Sequence, residues 1–368
     1  MQVPIRCMLI RGGTSKGAYF LESDLPSERE ARDRLLLALM GSPDKRQVDG
    51  LGGAHPLTSK VAIVARSTEP GCNIDFLFAQ VGIDEPSVDT TPNCGNILAG
   101  IGPFALARGL VRATGAKTIV RVRTLNTGTV ADLEMETADG EALAEGSARI
   151  DGVPGTSAPI SIGFLDTEGS VCGALLPTGN VVDTIDGVPV TLIDNGMPVL
   201  VLRAADVGRT GYESRDALND DAELKARIER IRLAAGPLMN LGDVAKKVVP
   251  KIALVAAPRA GGAISTRSFI PHECHASIGV FAAVTVATAA ALPGSPAASV
   301  AAMPAGAKRT VTVEHPTGEF TVDLTVGGTP ERPVIERAGL LRTARILMDG
   351  TAFVPRSALV APARQAAE

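Results

Sequence analysis

A single thiol stands where a turn is predicted to become an apolar helix. The segment Asn93-Cys94-Gly95-Asn96 opens a largely uncharged run that continues to Leu106. The first backbone N–H groups of a helix have no partner within the helix and carry partial positive charge. A cysteine there tends towards the thiolate, and a bound carboxylate is stabilised. The segment therefore predicts a proton-transferring group beside an anion site, with an inert core cysteine as the alternative.

A second candidate anion site follows a predicted strand. In Arg11-Gly12-Gly13-Thr14-Ser15, the two glycines let the backbone approach a ligand, and the hydroxyls of Thr14 and Ser15 can donate to an oxyanion. Ordinary turn hydroxyls are the alternative. The run resembles a phosphate loop superficially, but it does not meet the G-x-x-x-x-G-K-[ST] spacing, so we exclude nucleotide binding.

The second half of the chain offers a guanidinium and another helix start. Arg267 suits bidentate carboxylate binding, with a surface salt bridge as the alternative. Ser277, Ile278 and Gly279 are predicted to begin a second apolar helix that runs to Leu292, and their N–H groups would bind a further anionic group.

The run His272-Glu273-Cys274-His275 places four potential zinc ligands side by side. Their spacing fits neither H-E-x-x-H nor a structural zinc finger. We therefore expect no metal site here and interpret these residues as lining the mouth of the second helix.

The composition limits the partners. Of the 368 residues, 45% are hydrophobic but only 3% are aromatic, which favours sheets packed on slim helices. The net charge of −4 comes without a basic block, which excludes nucleic acid as a partner. The longest apolar stretch, Ile278–Leu292, is too short to cross a membrane. Five scattered cysteines without a C-x-x-C motif are typical of reduced thiols, so we expect a cytoplasmic protein.

The elements that must position these residues are mainly strands, with a few helices between them. Capping-box spacing at Ser27 and Glu30 predicts one surface helix, and Asp221 precedes another. The predicted strands are Val3–Leu9, Val61–Ala65, Ile74–Val81, Thr118–Leu125, Val190–Ile193, Pro198–Leu202, Ile252–Ala256, Thr310–Val313 and Phe320–Val326.

An internal sequence repeat relates the elements of the first half to those of the second. Lysine enters a β run in Ser59-Lys60–Ala65 and again in Pro250-Lys251–Ala256, and each run is followed by one nearly uncharged helix. A helix that is apolar all round must be buried on every side. We therefore predict a duplicated α+β fold with halves 1–183 and 184–368, the last strand being free to return to the first half. Each half wraps a curved sheet around one central helix, and a cleft lies between the halves.

Three motifs in the same order resemble a known family. Arg11–Gly17, Gly52–Lys60, and Asn93–Asn96 with Gly102–Ala105 are similar to the bacterial aconitate isomerases of the 2-methylaconitate isomerase and 4-oxalomesaconate tautomerase type. That family belongs to the diaminopimelate-epimerase-like superfamily, and the resemblance covers most of the chain. The sequences of Arg11–Phe20 and Asn93–Leu110 are more similar to those of the tautomerases.

The resemblance implies cofactor-free proton transfer at carbon in a cleft between two similar domains. In the epimerases one cysteine from each half flanks the substrate carbon, but here Ala276 or Ser277 stands where the second thiol would be expected. In the isomerase branch the working pair is a lysine and the first-half cysteine, which match Lys60 and Cys94. Shifting a double bond in an unsaturated tricarboxylic acid requires such a base and a second proton-transferring group.

The resemblance therefore implies an isomerase of 4-oxalomesaconate in aromatic-acid catabolism. Isomerisation of 2-methylaconitate and a non-catalytic polycarboxylate-binding role are the alternatives. The predicted substrate-binding residues are Arg11, Thr14, Ser15, Asn93, Gly95, Asn96, Arg267, Ser277, Ile278 and Gly279. The oligomeric state is left open, with a homodimer as one expectation.

Overall fold

The computed structural model describes residues 1–165, 167–329 and 332–359. The chain divides into two compact units, Met1–Ile162 together with Arg342–Glu368, and Gly163–Leu341. Among the described residues, none of the helices combines the length and apolar character needed to span a bilayer.

The first stretch of the chain contains eight strands and three helices, and a ninth strand lies at the division between the units. They are β1 (Gln2–Gly12), β2 (Ser15–Leu21), α1 (Arg29–Met40), β3 (Lys60–Arg66), β4 (Ile74–Val81), β5 (Val88–Asp89), α2 (Gly95–Ala99), α3 (Ile101–Ala107), β6 (Lys117–Thr124), β7 (Val130–Ala138), β8 (Glu141–Ala142) and β9 (Ile160–Phe164).

The second stretch repeats this mixture of strands and helices, and its last strand returns to the first unit. The elements are β10 (Asp183–Ile185), β11 (Val188–Asp194), β12 (Pro198–Arg203), α4 (Arg215–Asp220), α5 (Ala222–Leu238), β13 (Lys251–Ala256), β14 (Ile264–Phe269), α6 (Val280–Ala291), β15 (Lys308–His315), β16 (Gly318–Thr329), β17 (Arg332–Arg342) and β18 (Ala344–Pro355). β18 pairs antiparallel with β1 along its length.

The two units share one strand topology, which confirms the predicted duplicated α+β fold. In the first unit the pairs β1–β2, β3–β4 and β6–β7 are antiparallel, whereas β2–β3 and β4–β6 are parallel. In the second unit β11–β12, β13–β14 and β15–β16 are antiparallel, whereas β12–β13 and β14–β15 are parallel. The helices occur at similar places in the order of elements. α1 and α5 precede the lysine strands, and the buried helices follow β4 and β14, the strands that pair antiparallel with the lysine strands.

Each unit holds a buried helix against its strands, as the apolar sequences predicted. In the first unit α2 and α3 contact β1, β2, β3 and β18, and in the second unit α6 contacts β11, β12, β15 and β16. Every residue of α6 from Ala282 to Ala291 is buried. Each predicted strand run also corresponds to an observed strand, namely β1, β3, β4, β6, β11, β12, β13, β15 and β16.

Three helix boundaries differ from the prediction. The first apolar helix is interrupted at Gly100, because Pro103 has no N–H to donate to the carbonyl of Ala99. α1 is capped by Glu28 rather than Ser27, since the Glu28 carboxylate accepts from the N–H groups of Glu30 and Ala31. α1 ends at Met40, and Gly41 follows it in the left-handed region at φ 74°.

The third difference concerns the second apolar helix. It begins at Val280 with Gly279 as its N-cap, so the prediction that Ser277 and Ile278 lie in its first turn is wrong. The Ser277 N–H donates to Nδ1 of His275 at 2.9 Å, and Oγ of Ser277 lies 3.2 Å from Nε2 of His315. These contacts hold Ser277 in the preceding loop.

Candidate active site

The β1–β2 hairpin reaches the first turn of α2 because two glycines leave room for it. A Cβ on Gly12 would collide with the Asn96 carbonyl, and one on Gly13, which has φ +51°, would collide with the Asn96 side chain. Nδ2 of Asn96 donates to Oγ1 of Thr14 at 2.9 Å and lies 3.4 Å from Oγ of Ser15. The structure therefore brings together the predicted residues Thr14, Ser15 and Asn96.

Cys94 is the N-cap of α2, as its sequence position predicted. Its backbone is extended at φ −134° and ψ 99°, its side chain caps no N–H, and its carbonyl accepts from Leu98 at 2.9 Å. Cys94 and Gly95 are half-buried. The N–H groups of Gly95 and Asn96 are in the first turn, where helix geometry supplies no acceptor.

The Asn93 side chain is held by a hydrogen bond from its amide nitrogen and by none to its amide oxygen among the residues that the structure describes. Its Nδ2 donates to Oγ1 of Thr127 at 2.5 Å. Its Oδ1 is buried and has no hydrogen-bond partner among the described residues. A buried amide oxygen without a partner costs free energy unless a ligand or water donates to it.

Lys60 begins β3, and the residue is only 8% exposed. Its Nζ donates to Oε1 of Gln80 at 2.7 Å and lies 4.9 Å from the centroid of the Phe78 ring. Nε2 of Gln80 donates to the carbonyls of Ser59 at 2.9 Å and Pro56 at 3.1 Å, which fixes the orientation of the amide. Gln80 therefore holds the Lys60 amine in one place.

Lys60 and α2 both pack against one glycine of β2. Gly17 lies opposite Lys60 in the β2–β3 ladder. A Cβ on Gly17 would be 2.8 Å from the Lys60 carbonyl oxygen and 3.0 Å from Cδ1 of Ile97. The absence of a side chain here lets the lysine strand and the helix that starts at Cys94 approach each other.

Arg11 supports the hairpin from within. Its Nη1 donates to the carbonyls of Gly13 and Thr343, each at 3.1 Å, and to Oγ1 of Thr343 at 2.9 Å, while Nη2 donates to Oγ of Ser157 at 3.2 Å. Burial, and then the charge of Arg345, lower the pKa of Arg11. Its predicted role in substrate binding stays a prediction, and the observed contacts are those of a residue that braces the turn.

Three residues that sequence reasoning missed complete the site in the first unit. They are Gln80, Arg342 and Tyr19. Nε of Arg342 donates to Oδ1 of Asn96 at 3.1 Å, and the residue is 8% exposed. Tyr19 also belongs here, because its hydroxyl donates to the Ile97 carbonyl at 2.6 Å. Burial, and then the neighbouring Cys94, raise the pKa of Tyr19.

In the second unit Arg267 is a buried residue of β14 rather than a surface residue. Nε donates to the Glu213 carbonyl at 2.7 Å, and Nη1 donates to the Thr266 carbonyl at 2.8 Å. Burial lowers the pKa of Arg267. Main-chain carbonyls thus hold its guanidinium, and the alternative of a surface salt bridge is wrong.

The position of Cys94 in the first unit is taken by Gly279 in the second, since each is the N-cap of the buried helix. Nζ of Lys251, which begins β13, lies 3.5 Å from where a Cβ on Gly279 would be. Burial lowers the pKa of Lys251. Cys274 is 1% exposed, and burial raises its pKa to about 11, so it does not replace the missing thiol.

Comparison with known proteins gives one consistent assignment. The family model described as "PrpF protein" matches residues 2–355. A (4E)-oxalomesaconate Delta-isomerase from Novosphingobium sp. is 60% identical, covering 95% of this chain and 97% of that protein. A 4-oxalomesaconate tautomerase from Pseudomonas putida is 56% identical, covering 96% and 97%.

The crystal structure of a methylitaconate-delta-isomerase has the same fold. Its TM-score is 0.86 at 37% sequence identity, and the match covers 98% of each chain. With the family match over almost the whole sequence, this chain therefore belongs to the PrpF family.

Proposed function

We propose that this protein isomerises 4-oxalomesaconate, moving a double bond by proton transfer between two carbon atoms. The observation that carries the proposal is that one unit holds both a buried lysine, fixed by Gln80, and a thiol at the N-cap of a buried helix. Two relatives that are more than half identical to this chain are named for that substrate.

In the proposed reaction the neutral Lys60 amine removes a proton from a carbon made acidic by the neighbouring carbonyl and carboxylate groups. The C–H electron pair moves into the conjugated system and gives a dienolate. Cys94 donates a proton to the other carbon, and the electron pair of the enolate closes the new C–H bond. The substrate loses one proton and gains one, which leaves Lys60 protonated and Cys94 as a thiolate. Proton exchange with solvent then returns both groups to their starting states.

Binding of the carboxylates is proposed to use both kinds of donor in the first unit. The N–H groups of Gly95 and Asn96 and the hydroxyls of Thr14 and Ser15 are near one another through the Asn96 amide. The buried Oδ1 of Asn93 is an acceptor, so it would contact a carboxylate through a bridging water rather than directly. An oxyanion that forms in the transition state gains most from such preorganised donors.

In the second unit we propose Arg267, Lys251 and Gly279 as residues that can bind anionic groups. Lys251 is a half-buried cation whose pKa is lowered by burial, and such a charge is stabilised when an anion binds beside it. We also propose that the protein acts in the cytoplasm, which is supported by its five free cysteines.

The test is turnover of three substrates by the full chain at equal enzyme concentration. We expect the highest kcat/KM with 4-oxalomesaconate, followed by ultraviolet absorbance, compared with 2-methylaconitate and 3-methylitaconate. Dialysis against EDTA should leave the rate unchanged. A preference for either of the other acids would contradict the proposed substrate. Thermal stabilisation by tricarboxylates without any proton exchange would favour the non-catalytic alternative.

A further inference from the structure

The turn between β6 and β7 carries an asparagine whose side chain takes the place of a neighbouring strand. β6 pairs with β4 only as far as Thr124, which lies opposite Phe76. Further along β4, Oδ1 of Asn126 accepts from the Phe78 N–H at 2.9 Å, and Nδ2 donates to the Phe78 carbonyl at 2.8 Å. The amide therefore pairs both main-chain groups of Phe78, which β6 no longer reaches.

The same turn holds residues 90–94, the cysteine segment, which leads into α2. Nδ2 of Asn126 also donates to the Thr90 carbonyl at 2.6 Å. Oγ1 of Thr127 accepts from Nδ2 of Asn93. The remaining hydrogen bonds of the segment, among the residues that the structure describes, are to its neighbours in sequence, β5 and α2. The turn is therefore what attaches the cysteine segment to β4.

β4 is also the strand that holds the amine of Lys60. The centroid of the Phe78 ring lies 4.9 Å from Nζ of Lys60, and Oε1 of Gln80 accepts from that Nζ at 2.7 Å. Lys60 and Gln80 are opposite each other in the β3–β4 ladder. Asn126 thus joins the segment that ends at the thiol to the strand that fixes the lysine.

We propose that Asn126 is a positioning residue that fixes the cysteine segment against β4 and thereby sets where Cys94 lies relative to the Lys60 amine. The proposal rests on the proposed function, in which Lys60 removes one proton and Cys94 donates another. Both groups must reach carbon atoms of one ligand, and a small misplacement slows such a step strongly.

The first measurement is amide hydrogen exchange of the full chain without substrate, comparing Asn126→Ala with wild type by mass spectrometry. The Phe78 N–H loses its acceptor and should exchange at least about tenfold faster, since three hydrogen bonds that oppose local opening are lost. The Leu98 N–H donates to the Cys94 carbonyl at 2.9 Å. It should also exchange faster, because the cysteine segment has lost its attachment.

The second measurement is the ratio of solvent deuterium exchange to product formation with 4-oxalomesaconate. In Asn126→Ala the lysine keeps its bond to Gln80, so proton removal continues, while the thiol is displaced. We expect the ratio to rise at least about tenfold as product formation falls. A residue that only supports the fold would lower both rates equally and leave the ratio unchanged.

Two further variants provide the control and a milder change. Oδ1 of Asn73 accepts from the Arg121 N–H at 2.8 Å, next to the other end of β4, so Asn73→Ala removes a similar bond and should change neither measurement. Thr127→Val releases Asn93 but keeps the bonds of Asn126. It should raise the Leu98 exchange rate and the deuterium ratio by about fivefold, as expected for one hydrogen bond.

The proposal is overturned if Asn126→Ala folds and Leu98 exchanges at the wild-type rate, whatever the substrate is. It is also overturned if Leu98 exchanges faster but the deuterium ratio stays at the wild-type value. If Asn126→Ala does not fold, the same two measurements on Thr127→Val decide. If the wild type does not convert 4-oxalomesaconate, the proposed function is wrong, and the amide exchange alone decides whether Asn126 fixes the segment.

Discussion

Replacing Gln80 with glutamate puts a carboxylate where the amide oxygen now accepts from Lys60. The N–O distance is 2.7 Å. At an effective dielectric constant between 20 and 80, two unit charges at that distance attract by about 1.5 to 6 kcal/mol. Each 1.36 kcal/mol corresponds to roughly one pH unit, so the protonated amine should persist about one to four units higher in pH.

The assay is kcat/KM for 4-oxalomesaconate from pH 5 to 10 at constant ionic strength. If deprotonated Lys60 is the base, the acid limb of the profile in Gln80→Glu should move up by at least about one unit, with activity recovered at high pH. Gln80→Met is the matched control, because it removes the same hydrogen bonds to Ser59 and Pro56 without adding charge. Its acid limb should not move up.

An unchanged acid limb in Gln80→Glu would refute this reasoning. Loss of activity that is equal in both variants and independent of pH would show that Gln80 only supports the fold around β3 and β4. Either result would mean that deprotonation of Lys60 does not set the acid limb of the pH profile.

Three other substitutions test stability and binding. Arg232→Met should lower the free energy of unfolding by about 3–5 kcal/mol, because removing the fully buried guanidinium leaves the Glu229 carboxylate and the Val244 carbonyl without that partner. The exposed Arg230 provides the control, and Arg230→Met should cost less than about 1 kcal/mol in the same urea titration. Although burial opposes it, hydrogen bonding from Arg123 holds the pKa of Asp75 below its usual value. The stability that Asp75 contributes is therefore present above about pH 4 and lost as pH falls further, so Asp75→Asn should show a smaller difference in urea midpoint between pH 7 and pH 3. Lys251→Met should raise KM about tenfold while kcat changes less than threefold, and an unchanged KM would exclude Lys251 from substrate binding.

Much of the fold follows from local sequence. The lysines that enter β3 and β13 and the two uncharged helices were enough to predict a duplication, because hydrophobic periodicity and burial of apolar helices are local properties. β14 was missed, since its sequence Ile264–Phe269 is rich in Ser and Thr although every residue is buried. Its hydroxyls and Arg267 are satisfied by partners that only tertiary structure provides.

Some residues of the candidate site could likewise be predicted from local sequence, and others could not. Cys94 and Lys60 stand in recognisable motifs, whereas Gln80 and Arg342 do not. Gln80 reaches Lys60 only through the register of β3 against β4, and Arg342 reaches Asn96 across most of the chain. A signal for Gln80 existed in the alternation of β4, but using it required knowing which strand pairs with β3. Nothing local distinguishes Arg342 from the other arginines.

The most direct test of the central claim is solvent deuterium exchange of 4-oxalomesaconate, followed by proton NMR in wild type, Lys60→Ala and Cys94→Ala. Removal of the substrate proton by Lys60 predicts that Lys60→Ala loses exchange at the donor carbon. Cys94→Ala should retain that exchange but form product at least about a hundredfold more slowly, since general acid catalysis contributes about that much. Exchange at the wild-type rate in Lys60→Ala would contradict the account.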